Sequence, residues 1–133
     1  MKQILIDYVV FIRGFENSLK IKYNIDRNPC EVAGYLFEKK GVIDDIEYRF
    51  HGTGCTAEKD GVTYAYDISI FVKDEIEFSL WEFSEFIKTH PDYSKLNYDS
   101  VYIENELAKL IDEGVLAWFE IMGRVYKTYR VLI

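Results

Sequence analysis

The sequence predicts an α+β fold: an antiparallel sheet around a central bulged hairpin (46–58, 62–73), with about four helices packed on it and a C-terminal hairpin. Three observations predict this class. Apolar residues recur at three- and four-residue steps near the N-terminus, as in a helix, and alternate with polar residues in the middle of the chain, as in a strand. The length of 133 residues and the 49% hydrophobic content suit one continuous core, so we expect residues 1–133 to form a single domain.

The first two predicted helices lie in the N-terminal third of the chain. One apolar stripe predicts a helix over about residues 2–22. A second helix is predicted over 29–40, because Asn28 suits a helix cap and Pro29 suits the first helical position. The stripe of the first helix consists of Ile4, Leu5, Tyr8, Phe11, Ile12, Phe15 and Leu19.

Two further helices are predicted in the second half of the chain. The segment Ser79–Glu82 is a capping box, which opens a third helix that ends before Pro91. Asp99 or Ser100 caps a fourth helix, and Gly114 ends it. The predicted apolar stripes are Leu80, Phe83, Phe86 and Ile87 for the third helix, and Val101, Ile103, Leu107, Leu110 and Ile111 for the fourth.

The central hairpin is predicted from its turn. Asp60-Gly61 is a strong signal for a two-residue turn, which pairs Lys59 with Val62. Carried on without a break, this register would turn Phe50 away from the apolar face. Glycine tolerates the backbone of a β-bulge, so one extra residue within Gly52–Gly54 would return Phe50 to that face. We therefore expect a bulge at Gly52–Gly54.

The net charge of −7 is unevenly placed along the chain. Residues 61–121 hold 13 acidic and 4 basic side chains, whereas residues 122–133 hold three basic side chains and no acid. An acidic segment repels nucleic acid and anionic membranes and attracts basic proteins. The charge pattern therefore predicts a protein partner, with no binding of nucleic acid or membrane.

The N-terminus carries no recognisable targeting signal. Its apolar run is interrupted by charged residues, is not followed by a small-residue cleavage site, and is too short to span a bilayer. Cys30 and Cys55 are the two cysteines, and without a secretion signal we expect both to be free thiols in a reducing compartment. The sequence thus predicts a cytoplasmic protein and leaves its oligomeric state open.

His51 and Cys55 are the residues that most invite a catalytic interpretation, because a neighbouring imidazole activates a thiol. Four residues along an extended strand would separate them by roughly 13 Å, which is too far for a hydrogen bond. The spacing of the histidines and cysteines matches no zinc pattern, and Gly52–Gly54 lacks the rest of a phosphate-binding loop. We therefore expect no catalytic residue, metal or cofactor.

Two acidic runs are the candidate partner-binding residues. The bulged register would pair Ile46 with Ile76 and so bring both runs to one edge of the hairpin, where they would form a continuous negative patch. Solvated charges at strand ends are the alternative interpretation. The predicted partner-binding residues are Asp44, Asp45, Glu47, Asp74, Glu75 and Glu77.

The last 35 residues permit a different interpretation. A capped helix followed by a hairpin (115–121, 124–133) with three basic residues resembles the recognition helix and wing of a winged-helix DNA-binding protein. The predicted helix, however, carries four acidic residues against one basic residue, and a recognition helix should be basic. The basic residues of the hairpin are Arg124, Lys127 and Arg130.

Three segments carry a resemblance to a known family. Phe-His-Gly-Thr-Gly-Cys at 50–55, Tyr-Ala-Tyr-Asp at 64–67 and Phe-Ser-Leu-Trp-Glu-Phe at 78–83 resemble the motifs of a family of small, uncharacterised bacterial proteins. That family has a Phe-His-Gly-small-Gly-Cys strand, an acidic residue ending the second strand, and an aromatic helix; the resemblance covers roughly residues 46–87. Such proteins resemble the cytosolic immunity proteins encoded beside polymorphic or contact-dependent toxins. The resemblance implies no catalytic residues.

Composition independently suits a protein that masks a basic toxin, such as a nuclease. The chain is acidic, contains 11 tyrosines and has no catalytic constellation, and tyrosines and carboxylates provide anchors and steering toward a basic surface. A toxin-neutralising immunity protein is therefore the leading hypothesis. A winged-helix-like transcriptional regulator is the second hypothesis, and a Cys–His enzyme is the third.

Overall fold

The computed structural model describes residues 1–23, 39–51, 54–67 and 75–133, which form α-helices and two antiparallel sheets. In chain order the elements are α1 (Lys2–Tyr23), β1 (Lys40–Ile43), β2 (Ile46–His51), β3 (Gly54–Lys59), β4 (Val62–Asp67), β5 (Glu77–Ser79), α2 (Leu80–Thr89), a 3-10 helix (Ser94–Leu96), α3 (Ser100–Asp112), β6 (Leu116–Glu120) and β7 (Lys127–Val131). The predicted α+β class with an antiparallel sheet and a C-terminal hairpin is confirmed.

The first, third and fourth predicted helices are confirmed as α1, α2 and α3. The α2 capping box is complete: the Ser79 amide donates to Glu82 Oε1 at 2.8 Å, and the Glu82 amide donates to Ser79 Oγ at 3.3 Å. The Asp99 carboxylate caps α3 by accepting from the Tyr102 amide. α3 ends just before Gly114, as predicted. Gly114 has a φ of 77°, a left-handed conformation that glycine adopts without steric cost.

The helix count differs from the prediction. The described residues form three α-helices rather than about four. The helix predicted over 29–40 lies outside the described residues except for its last two positions, and Lys40 already begins β1. Val101 is 68% exposed, so its place in the apolar stripe of α3 was predicted wrongly; it lies in the first turn, beyond the contact with the sheets.

The strands β1 to β4 form a meander in which each strand pairs with the next. The β3–β4 turn is the predicted one: Lys59 pairs with Val62, and Asp60 and Gly61 have φ of 52° and 81°. The β1–β2 turn is built in the same way from two aspartates, Asp44 and Asp45, whose φ values are also positive. Positive φ at both central residues matches the twist of the flanking strands.

The predicted bulge is wrong. Phe50 pairs with Cys55 and His51 with Gly54, so the chain reverses between β2 and β3 instead of continuing as one strand over 46–58. The two residues between these strands lie outside the described residues. The reversal, like the predicted bulge, directs Phe50 into the core, where Cys55 is also buried. Alternation with a period of two residues does not distinguish the two solutions.

The rest of the predicted hairpin also differs. The predicted strand 62–73 is described only as far as Asp67, and residues 68–74 lie outside the described part of the chain. Ile46 pairs with Ile43 rather than with Ile76, and Ile76 instead accepts a hydrogen bond from the Val131 amide. Residues after 74 therefore belong to a second sheet, whereas a single sheet was predicted.

The second sheet has the strand order β5-β7-β6. Phe78 of β5 and Trp118 of β6 both pair with Tyr129 of the central strand β7. The chain thus runs strand, helix, helix, strand, strand, and the first strand lies beside the last. This order of elements resembles that of a winged helix-turn-helix motif, with α3 in the place of the recognition helix. We call residues 116–131 the wing.

One buried tyrosine of α1 joins the helices to both sheets. The Tyr8 hydroxyl donates to the Ala65 carbonyl of β4. Its ring lies 5.3 Å, centroid to centroid, from the rings of Phe78, Phe83 and Phe86. Because Tyr8 contacts the meander, β5 and α2 together, the core is continuous between the two sheets.

Candidate functional site

A cavity of about 970 Å³ opens where the meander meets the wing. The end of β4, the first turn of α2, one residue of α3 and the turn of the wing all contribute to its lining. We call it the junction pocket and define it by the side chains of Asp67, Trp81, Glu82, Glu120, Arg124 and Tyr126. Its position follows from the fold, because the α2 cap holds Trp81 and Glu82 against the edge of the meander.

Glu82 is a partly buried carboxyl of the junction pocket. Burial raises its pKa to about 7, an effect that the nearby Asp67 reinforces and that Ser79 and Arg124 partly offset. An ordinary glutamate titrates near pH 4.5. Glu82 therefore changes its charge close to neutral pH, and the folded protein holds the proton more tightly than the unfolded chain does.

This shift predicts a pH dependence of the free energy of unfolding. Between about pH 4.5 and pH 7 the folded state binds the Glu82 proton and the unfolded state releases it, so the contribution of Glu82 to stability falls as pH rises. Glu82→Gln keeps an oxygen for the Ser79 amide and removes the charge. We expect it to raise the stability at pH 8, relative to the wild type, by about 1–3 kcal/mol.

Urea unfolding at pH 5 and pH 8 measures this effect. Glu85→Gln is the matched control, because Glu85 lies on the same helix outside the pocket and pairs only loosely with Lys88, at 4.0 Å. If the free energy of unfolding falls with pH as steeply in the Glu82→Gln variant as in the wild type, Glu82 does not bind the proton as proposed.

Arg124 connects the wing to the meander across the pocket. Its Nη2 donates to Asp67 Oδ2 at 3.0 Å and its Nη1 donates to Thr128 Oγ1 at 3.2 Å. The guanidinium carbon also lies 5.6 Å from the centre of the Tyr126 ring. Arg124 is therefore held between a carboxylate and an aromatic face.

All three basic side chains of the wing lie close to carboxylates of the same chain. Besides the Arg124–Asp67 pair, Lys127 lies 3.9 Å from Glu104 of α3. Arg130 lies 3.0 Å from Glu75 and 3.2 Å from Glu77. The cations that suggested a DNA-binding wing thus pair within the protein.

Exposed apolar side chains surround the mouth of the pocket. Trp81 is 63% exposed and Tyr126 is 48% exposed, and both line the cavity. Met122 and Val125, in the turn of the wing, are fully exposed. Large exposed apolar groups rimmed by charges are typical of surfaces that bind another protein.

The structure separates the five described members of the predicted partner-binding set into two groups. Asp44, Asp45 and Glu47 are exposed at the β1–β2 end of the meander, and Asp44 Oδ2 accepts a hydrogen bond from Ser18. Glu75 and Glu77 lie in or beside the second sheet, where Glu77 is buried. Asp74 lies outside the described residues. The predicted continuous patch therefore does not form from the described residues, because the register that would have aligned the two runs is absent.

His51 and Cys55 lie on opposite faces of the meander. Cys55 is buried, and burial raises the pKa of its thiol to about 12. His51 is exposed and makes a hydrogen bond with Thr56 Oγ1 at 2.8 Å. The predicted distance of four strand residues between them does not apply, since the chain reverses there. The difference of face, together with the raised pKa, leaves Cys55 unsuited as a nucleophile. Cys30 lies outside the described residues.

Neither a metal-binding cluster nor a membrane-spanning helix occurs among the described residues. No three histidine, cysteine, aspartate or glutamate side chains of these ranges are grouped so that they could hold a metal ion. None of the helices formed by these residues has the length and apolar character needed to cross a membrane.

Almost the whole chain matches a known protein family. Residues 1–131 match a family described as a domain of unknown function, DUF6896. The chain belongs to this family. The matched range includes α1, the meander, the junction pocket and the wing, so the pocket lies entirely within the family domain. Neither the curated proteins nor the solved structures contain a match to this sequence.

Sequence reasoning did not single out the residues of the junction pocket. Glu82 was interpreted only as part of a helix cap, and Arg124 only as a candidate DNA contact. The clearest available signal was Trp81, because a tryptophan outside the apolar stripe of a short amphipathic helix is exposed unless another element covers it. The Asp67–Arg124 pair spans 57 residues, and no local pattern indicates such a contact.

Proposed function

We propose that this chain is a bacterial immunity protein of the cytoplasm that binds and neutralises a cognate toxin domain with a basic surface. In this proposal it acts by binding rather than by catalysis, and it requires no cofactor. The expectation rests on the sequence resemblance and the acidic composition. The wing gives it geometric support, because each of its three cations lies within 4 Å of a carboxylate of the same chain.

The pairing of these cations leaves a negative surface on the winged-helix motif. The segment from Asp99 to Glu113, which contains α3 and its caps, carries five acidic residues and one lysine. That lysine, Lys109, lies 3.1 Å from Glu106. Three exposed carboxylates of this segment lie outside its N-terminal cap: Glu104, which pairs with Lys127, and Asp112 and Glu113 at the C-terminal end of the helix. We call these three residues the α3 carboxylates.

A negative α3 favours a basic protein over DNA as the partner. A recognition helix in the major groove lies between two rows of phosphates, where carboxylates are repelled. The same carboxylates attract a basic nuclease-like surface and accelerate its association. The exposed Trp81 and Tyr126 are side chains of the types that dominate binding energy in protein interfaces.

A winged-helix-like regulator is the second candidate, and the β5-β7-β6 strand order with two preceding helices favours it. The two candidates differ in a direct assay. A regulator binds duplex DNA with an affinity that falls steeply as salt rises. An immunity protein whose α3 carries exposed carboxylates does not change the gel mobility of duplex DNA at physiological salt.

Co-expression with the toxic domain encoded by the neighbouring gene tests the proposed function. We expect the chain to restore growth of cells that produce the toxic domain and to co-purify with it, because a tight complex blocks the toxic surface. Glu58→Gln, an exposed change on β3 away from the pocket, is the folded control and should rescue equally well. Failure to rescue and to co-purify, with tight binding to duplex DNA, would replace the immunity proposal with the regulator.

A further inference from the structure

The charges of the described residues that line the junction pocket do not balance. Its lining includes four carboxylates and two cations. Asp67 pairs with Arg124 and Glu104 pairs with Lys127, whereas Glu82 and Glu120 form no ion pair with a lysine or arginine of the described residues. Among the described residues the pocket therefore has an excess of negative charge, from Glu120 and from the fraction of Glu82 that is ionised near neutral pH, and is complementary to a cation.

The size and lining of the pocket favour a guanidinium group over an ammonium group as the bound cation. A volume of about 970 Å³ is at the upper end of the range for ligand sites, so there is room for a side chain together with flanking backbone. Trp81, Tyr126 and Tyr129 also line the cavity and provide aromatic surface. A guanidinium stacks on aromatic rings and binds carboxylates with two parallel hydrogen bonds, whereas an ammonium is a compact, strongly hydrated charge.

The chain contains its own example of this arrangement. Arg124 donates to the Asp67 carboxylate while its guanidinium lies over the Tyr126 ring. Arg130 repeats the combination in the same sheet, with Glu75 and Glu77 as carboxylates and the Phe119 ring 4.6 Å from its guanidinium carbon. Carboxylates and aromatic rings of this domain thus hold guanidinium groups in two places.

We infer that the junction pocket receives an arginine side chain from a basic loop of the protein partner, with Glu82 and Glu120 as its carboxylates and Trp81 at its rim. This inference rests on the proposed function and adds the class of side chain that the partner presents. Trp81 and Glu82 are adjacent at the start of α2, so the capping box that fixes the helix also fixes the site. A general polyamine and a second copy of this chain are the competing occupants.

Fluorescence of Trp81 tests the inference without the toxin. The chain has two tryptophans, so Trp118→Phe leaves Trp81 as the only reporter. The probe is the blocked tripeptide acetyl-Gly-Arg-Gly-amide, compared with its citrulline and lysine counterparts and with spermidine. We expect a saturable change with the arginine peptide and binding that is roughly tenfold weaker for citrulline, which keeps the shape of the side chain but lacks its charge.

Variants of the pocket locate the binding site. In the Trp118→Phe background, Glu120→Gln and Glu82→Gln should each weaken the arginine peptide several-fold, and Glu58→Gln, outside the pocket, should not. Urea unfolding of each variant establishes that it is folded. Equal binding of spermidine and the arginine peptide, an unchanged affinity in Glu120→Gln, or a Trp81 signal that varies with protein concentration alone would each overturn the inference.

The same variants separate this inference from the proposed function. If Glu120→Gln loses the peptide and still rescues cells as well as the wild type, the pocket is not where the partner docks, and the inference fails while the immunity function holds. If the wild type binds the arginine peptide in the pocket but neither rescues cells nor co-purifies with the toxic domain, the immunity function fails and the arginine site holds.

Discussion

Replacing Arg124 with methionine is expected to lower the free energy of unfolding by about 2–4 kcal/mol. The side chains of Arg124 and Asp67 are only 18% and 12% exposed, and the partly buried Glu82 lies nearby. Loss of the guanidinium leaves the Asp67 carboxylate in a poorly solvated place without its cation, and it removes a positive charge that partly offsets the raised pKa of Glu82. It also removes the hydrogen bond to Thr128 within the wing. Urea unfolding at pH 7 measures the change.

Two comparisons show whether this loss comes from the buried pair. Lys127→Met breaks a pair of half-exposed side chains 3.9 Å apart and should cost at most about 1 kcal/mol. The double variant Asp67→Asn/Arg124→Met should be more stable than the sum of the single effects predicts, because neither partner is then left alone. An Arg124→Met variant as stable as Lys127→Met would contradict the account of how the wing is anchored.

Neutralising the α3 carboxylates is expected to have the largest effect on partner binding. The variant Glu104→Gln/Asp112→Asn/Glu113→Gln should slow association with an inactive form of the toxic domain by about 10-fold or more at low salt. It should also flatten the salt dependence, because long-range attraction mainly accelerates the encounter and salt screens it. Stopped-flow mixing at low and high salt measures both effects.

A matched variant distinguishes this surface from the one that the sequence predicted. Asp44→Asn/Asp45→Asn/Glu47→Gln removes the same three charges from the meander, and asparagine tolerates the positive φ of the β1–β2 turn. We expect this variant to slow association much less than the change on α3. The opposite order would locate the partner surface at Asp44, Asp45 and Glu47.

Local patterns predicted α1, α2, α3 and the C-terminal hairpin, but not the strands β1 and β5 or the long-range partners of the elements. The period of the apolar stripe and the Ser79–Glu82 box predicted α1 and α2 because helical contacts lie three or four residues apart. The reversal before Gly54 was missed because a turn and a bulge both return Phe50 to the core. The junction pocket could not be predicted for another reason. It depends on contacts between β4, α2 and the wing, which no local spacing encodes.

The proposed function requires that α3 and the wing of this chain bind a basic protein and not a nucleic acid. Titration calorimetry of the purified wild type with the inactive toxic domain of the neighbouring gene, and separately with duplex DNA at the same salt, tests it most directly. We expect a saturable complex with the toxic domain, weakened by salt, and no heat of binding with the duplex. Saturable binding to the duplex and none to the toxic domain would contradict it.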